Sequence, residues 1–510
     1  MKNKEVSPTQ QPDGGSGINR QQSYGHSSLR RVRAAAVTAA VGMAALLPFT
    51  LAPANAAAQS TTGPVAQEFP NQYFPENLPG NDVAQYFPRE WKTYGSIAGR
   101  NAVFPLTASA PDSLKNGVEW SFAGAGAIPL NGPPLGGDFK ITAYTIGMPV
   151  GVSVVQGILY VGDDNGYTYA VNAVTGKLIW AHYGWNMNMS NPLVDGDRVF
   201  VSTGNAYFNY AKTMQYVKGK PTVRGPGLNS IYALDRKTGK ELWAYHTPGE
   251  VMPTPVDLDG FLYVGTGDGH VYKVDATTGK LVWKSDIKSF VSMSSPVAGD
   301  GNIFLGGTYP NYFYAVDQKT GKIAWKTTIP GLVATGISDC TPAYADGIVV
   351  QEGTIESGDA SKPVANVILA MDAKTGKLLW QKRLDNGPVP PAMKTATPMI
   401  DHGIVYEGSP VTGDYYTFDL KTGKQLWNVH LGSQIRSGAA VLNGVAYVPY
   451  HSGDIAAIRT SDGKLLGQKH IGGSFGPSSP VIVGGTLYVS NVFGWVNAIP
   501  VSQIQTGAQQ

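Results

Sequence analysis

The chain has 510 residues, among them 63 Gly, 35 Pro and 26 Tyr, and only 15% are charged. That is a turn-rich, strand-rich composition without the helix-forming excess of Ala, Glu and Lys that marks a helical bundle. Six Lys and Arg face two acids in residues 1–56, and 33 face 34 beyond them; a body so close to neutral excludes a nucleic-acid binder held by phosphate contacts.

In chain order, the first element is a leader. Leu29-Arg-Arg-Val-Arg33 precedes an apolar stretch from Ala34 to Leu51 and the small-residue exit Ala54-Asn55-Ala56. Basic, apolar and small-residue regions in that order predict an export signal, cleaved near Ala56. The Ala-rich core with Pro48 and Pro53 argues against a transmembrane anchor. The single cysteine, Cys340, lies far from the leader, so no lipid-anchor Cys follows it. One Cys also excludes an intramolecular disulfide and a cysteine-built zinc or iron–sulfur site. The expected location is periplasmic or at the cell surface, associated with the outer membrane. The low charge suits an acidic medium. Residues 57–115 are expected to form an N-terminal arm packing on the fold that begins at residue 116.

From residue 116 to about 500, two phrases alternate. One is the series ending in AVNAVTGKLIW at Trp180, ALDRKTGKELW at Trp243, KVDATTGKLVW at Trp283, AVDQKTGKIAW at Trp325, AMDAKTGKLLW at Trp380 and TFDLKTGKQLW at Trp427. A degenerate copy puts Gly467 where Trp is expected. The other runs PTPVDLDGFLYVGTG, SSPVAGDGNIFLGG, CTPAYADGIVVQEG and so on. Each reads strand, Gly turn, strand, so each pair makes four strands. Eight such units predict an all-β fold, an eight-bladed β-propeller. The eighth unit lacks an outer strand; residues 117–123, with Trp120 in the docking position, are expected to supply it and close the ring. Residues 501–510 remain as a tail.

Repeats allow blade-to-blade comparison. The residue three before the Pro of each inner strand should ring the channel mouth: Pro149, Met189, Met252, Met293, Asp339, Thr395, Arg436 and Pro477. Lys394 stands one position earlier in its blade, Glu250 and Phe475 two earlier in theirs. One Asp and one Arg among methionines break the symmetry of the ring, and functional residues gather where loops meet over a rigid scaffold. Asp339 bonding a backbone amide and pairing with Arg436 is the bland alternative. Cys340, beside Asp339, reads either as packing or as a thiol that takes part. A long loop of blade 2, Gly204–Ser230, carries Lys212, Lys218, Lys220 and Arg224 without an acid and would draw anions. A second insertion is expected at Gly353–Asn366.

The Thr-Gly-Lys-x-x-Trp phrase resembles the quinoprotein-dehydrogenase-like propellers, and Glu90–Leu106 looks like the opening segment of quinoprotein alcohol dehydrogenases. Three functions compete on this fold: a quinone-dependent dehydrogenase, a non-catalytic binding or assembly propeller, and a hydrolase without cofactor. Such dehydrogenases usually carry adjacent cysteines and a calcium-binding acid set; one Cys rules out the pair, and no convincing calcium constellation is present. The segment Gly336-Ile-Ser-Asp-Cys-Thr-Pro342, in an exported single-Cys chain of this size, resembles the tetrathionate hydrolases of acidophilic sulfur-oxidising bacteria. That resemblance implies an extracytoplasmic homodimer acting at acid pH on a small anionic sulfur substrate, with no quinone and no metal. It implies Asp339 as catalytic acid/base. Arg436 and Lys394 would then hold sulfonates, and Met189, Met252, Met293 and Phe475 would pack on the sulfur chain, with Cys340 and Glu250 as auxiliary groups.

Overall fold

Each pair of repeated phrases folds into a four-stranded antiparallel sheet, and the described residues hold eight such sheets. The computed structural model describes residues 117–125, 127, 151–204, 225, 228–333, 337–390, 395–477 and 479–506. The leader and the 57–115 arm lie outside them. Seven sheets run in sequence order from inner to outer strand; the eighth combines three C-terminal strands with Trp120–Ala123. That segment pairs antiparallel with Trp495–Pro500, Trp120 opposite Ala498. The ring therefore closes with its two ends in one sheet, as the spare Trp120 strand leads one to expect.

The repeat residues account for how blades stack. Each Thr-Gly-Lys turn is capped by the Asp that opens it: Thr278 gives both its amide and its hydroxyl to Asp275 Oδ1, at 2.7 and 2.8 Å. Asp317, Asp372 and Asp419 do the same, and these bonds hold all four carboxyls below their ordinary value. The turn Gly has positive φ, +70° at Gly376, and a Cβ there would lie 2.5 Å from the Trp325 indole of the preceding blade. Gly is thus demanded twice, by φ and by the ring stacked on it. The indole N–H then donates to a carbonyl of that next blade, as Trp325 does to Ala373 at 3.0 Å and Trp380 to Leu420 at 2.7 Å. Trp120 closes the circle by donating to Ala173 of blade 1 at 3.0 Å.

The degenerate copy in blade 7 has a structural cause. Blade 8 offers no Thr-Gly-Lys turn for a tryptophan to cover. Instead a terminal helix, Val501–Thr506, packs across the outer strand Leu465–His470, and the backbone of Ile504 and Gln505 fills the space a Cβ on Gly467 would need. The blade 5 insertion also differs from a loop. Its second and third strands lengthen to nine residues each, Ile348–Glu356 and Val364–Asp372, so Gly353–Asn366 extends a hairpin.

Candidate active site

The ring at the channel mouth is tied together by hydrogen bonds between equivalent positions. In blades 2 to 4 the residue before the inner-strand Pro donates its amide to the hydroxyl in the same place one blade on: Asn191 to Thr254 at 2.8 Å, Thr254 to Ser295 at 3.0 Å, Ser295 to Thr341 at 3.2 Å. Gly438 does so to Ser479 at 3.1 Å. Residues two positions earlier therefore lie at one level around the channel. Met293 and Ser294 reach the neighbouring loop directly, donating amides to Ser338 O at 3.0 and 2.8 Å.

Met189, Met293 and Asp339 are half-buried at this level, whereas Met252 is 4% exposed and Thr395 is fully buried. Phe475 is 1% exposed and belongs to the apolar core shared by the first and last three blades. It is a wall residue with no open face, unlike the expected lining. Glu250 is fully buried beneath the two ends of the blade 2 loop; a Cβ on Gly225 would come within 2.6 Å of Glu250 Cβ. It packs against Gly204 and Gly225 instead of facing the mouth. Lys394 and loop residues 205–224 lie outside the described residues.

Arg436 forms no ion pair with Asp339, contrary to the bland alternative. Its Nη2 donates to Gln434 Oε1 at 2.5 Å, its Nε is buried without a partner among the described residues, and no described carboxylate lies against it. Burial lowers its pKa to about 10, which leaves it charged. His451, in the loop after the second strand of blade 7, adjoins it. Burial first, and the Arg436 charge second, bring this imidazole down to about 4. Ser474 Oγ donates to His451 O at 2.9 Å, so the 2.8 Å bond between Ser474 Oγ and Nδ1 has the imidazole as donor. His451 escapes the blade comparison, which covers only the loop before the inner strand.

Cys340 is fully buried, and its thiol is pushed well up, by burial first and then by Glu407, Glu352 and Asp339. A thiolate is the reactive form, so this is not a primed nucleophile. Its role is readable from the repeat. Two residues before the Pro, blades 2 and 4 have Ser190 and Ser294, whose hydroxyls accept the amides of Ser202 at 2.9 Å and Gly306 at 2.8 Å. Cys340 Sγ accepts the equivalent amide, that of Glu352, at 3.4 Å.

Buried polar atoms are nearly always paired. Around this mouth they are not: Ser338 Oγ, Thr395 Oγ1, Gln351 Oε1 and Arg436 Nε have no partner among the described residues. Unpaired donors and acceptors beside a buried cation and a soft methionine surface suit a polar anion with a polarisable middle.

The family model described as "Outer membrane protein assembly factor BamB" matches residues 138–250, 216–288, 267–440 and 364–508. The tetrathionate hydrolase of Acidithiobacillus ferrooxidans is 40% identical over 453 residues, covering 85% of this chain and 90% of the relative. That of Acidianus ambivalens is 32% identical, with 88% and 92% covered. Among solved structures, the quinohemoprotein alcohol dehydrogenase of Comamonas testosteroni aligns with a TM-score of 0.58 at 14% identity, covering 86% of this chain and 84% of that one. At that identity the likeness concerns the fold alone.

Proposed function

The chain belongs to the tetrathionate hydrolases, and from that premise we propose that it cleaves tetrathionate with water in acid, outside the cytoplasm, with Asp339 as the proton-exchanging group. Tetrathionate is a dianion with a sulfonate at each end and two sulfane sulfurs between. Water attacks one inner sulfur, the inner sulfur–sulfur bond breaks, and its electron pair leaves with thiosulfate. Asp339 takes a proton from that water and exchanges it with the departing sulfur or with solvent. The remaining hydroxysulfanyl sulfonate separates into sulfur and sulfate, releasing a second proton. One water is consumed and two protons appear, and no outside oxidant or reductant enters the balance.

The observation that carries this reading is the buried Arg436 guanidinium with no described carboxylate against it, ready to hold two oxygens of an anionic group. Arg436 holds one sulfonate, His451 adds charge when protonated, and Lys394 holds the second. Met189 and Met293, backed by Met252, pack on the sulfur chain. The test is purified protein with tetrathionate at pH 3, assayed for thiosulfate with and without added quinone. Turnover without quinone is expected. No thiosulfate, or turnover only with quinone, overturns the reading in favour of a dehydrogenase. Two companion expectations concern the whole chain: N-terminal sequencing of exported protein should begin near residue 57, and light scattering should give a dimer.

A further inference from the structure

Counting from the residue that opens each second strand, the fourth position is Val or Leu in six blades and the fifth is Gly, Ser or Pro in seven. Blade 5 breaks both rules and blade 6 the first. Blade 5 has Gln351 and Glu352, and blade 6 has Glu407. Both glutamates are fully buried, in places where the other blades put small or aliphatic side chains. Glu352 spans two mouth loops: its amide donates to Cys340 Sγ at 3.4 Å in blade 5, and its Oε2 accepts the amide of Ala396 in blade 6. Ala396 stands where blades 2, 4 and 7 carry a Ser, and it is the amide of this position that the carboxyl holds. The two carboxyls face each other across the blade boundary. Apart from the Gly408 amide beside Glu407, no described donor reaches Glu407 Oε1, Glu407 Oε2 or Glu352 Oε1. Two ionised carboxylates cannot share a dry site, so a proton lies between them, one carboxyl donating to the other.

We propose that Glu352 and Glu407 are positioning residues, a proton-sharing carboxyl pair that holds the Asp339–Cys340 loop against the Thr395–Ala396 loop and releases that arrangement when its proton is lost. The assignment rests on the reading of Asp339 as the proton-exchanging group. The groups facing the pair are the Cys340 thiol with Asp339 beyond it, and the Tyr415 phenol of blade 6. None of them is a cation, so nothing described compensates a second negative charge. Burial raises both carboxyls well above the ordinary value. Their contribution to stability is complete below about pH 4.3, the ordinary glutamate value, and is lost as pH rises above it.

The test compares wild type with Glu352→Gln, Glu407→Gln and Glu407→Val, the last placing in blade 6 the residue most other blades carry. Melting temperature is followed from pH 3 to pH 7, together with kcat and KM for tetrathionate, and infrared difference spectra against wild type are taken at pH 5. Wild type should lose melting temperature as pH rises, and the variants should lose less, by several degrees at pH 7. The pH at which kcat falls to half its own maximum should move up by about one unit, with KM unmoved. A protonated-carboxyl band should vanish in the Glu407 variants. Parallel melting curves, or an unchanged band, overturn the pair. If the Gln variants do not fold, Glu407→Val decides by the same melting and infrared measurements. If wild type turns over no tetrathionate, the activity reading fails while those two measurements still decide the pair.

Discussion

Asp339 differs from every equivalent residue in its ring, and only it combines partial exposure with the means to exchange a proton. Asp339→Asn keeps shape and hydrogen bonding but not proton transfer, so it should fold normally and lose about 10²–10⁴-fold in kcat. An active Asn variant would refute the mechanism whatever the substrate. Arg436→Met should instead raise KM and leave kcat nearly unchanged, the mark of lost uniform binding. His451 gives this site a pH dependence. Held near 4, it charges only as pH falls through that value, so KM for a dianion should fall with it. His451→Gln should flatten that dependence in initial-rate measurements from pH 2.5 to pH 6. Cys340→Ser restores the residue found in blades 2 and 4 and should retain most activity, because a hydroxyl accepts the Glu352 amide as the sulfur does.

At the scale of the blade, the docking tryptophans are not equivalent. Trp380 is buried and donates to Leu420 O at 2.7 Å, whereas the Trp283 indole N–H is buried without a partner among the described residues. Phe retains most of the stacking but no donor. Trp380→Phe should therefore cost about 1 kcal/mol more than Trp283→Phe, the net worth of one hydrogen bond plus an orphaned carbonyl. Denaturant unfolding of the two variants reads the difference. Gly467→Leu tests the terminal helix. With Ile504 and Gln505 backbone occupying the Cβ position, the substitution must lift the helix off the outer strand of blade 7. Overpacking of this kind costs about 1–3 kcal/mol. Melting unchanged from wild type would mean the helix does not hold that place in solution.

Across the whole molecule, two sets of carboxyls pull stability in opposite directions with pH. The turn aspartates 275, 317, 372 and 419 lie below their ordinary value, so their contribution is present above it and lost as pH falls. All four are half-buried turn residues at the surface, and solvent screening makes them minor. The buried set acts the other way. Asp163, which accepts from Tyr169 Oη at 2.7 Å, is raised by burial from 3.8 to about 7. Its neighbour Asp164 is also raised well above the ordinary value, by burial first and then by Asp163. A carboxyl held near 7 costs the fold about 4 kcal/mol at neutral pH and nothing below its unfolded value. Asp163→Asn should thus raise the melting temperature at pH 7 and leave it nearly unchanged at pH 3. A scan showing equal shifts at both values would refute the assignment.

The repeat by itself determined the eight blades, the closure through Trp120 and the level of the mouth ring. Each of these rests on local patterns: a turn that needs Gly, an indole with a docking place, a Pro that marks the inner strand. Asp339 and Arg436 were legible for the same reason, since a symmetric scaffold exposes whatever departs from it. The partners of those residues were not legible. Phe475 and Glu250 turn inward because neighbouring blades close over them, which spacing along one strand does not show. His451 reaches Arg436 from a different loop of the same blade, and Glu352 meets Glu407 across a blade boundary. Burial and charge proximity are properties of the assembled ring, so which acids keep their protons was decided only when the blades were packed side by side.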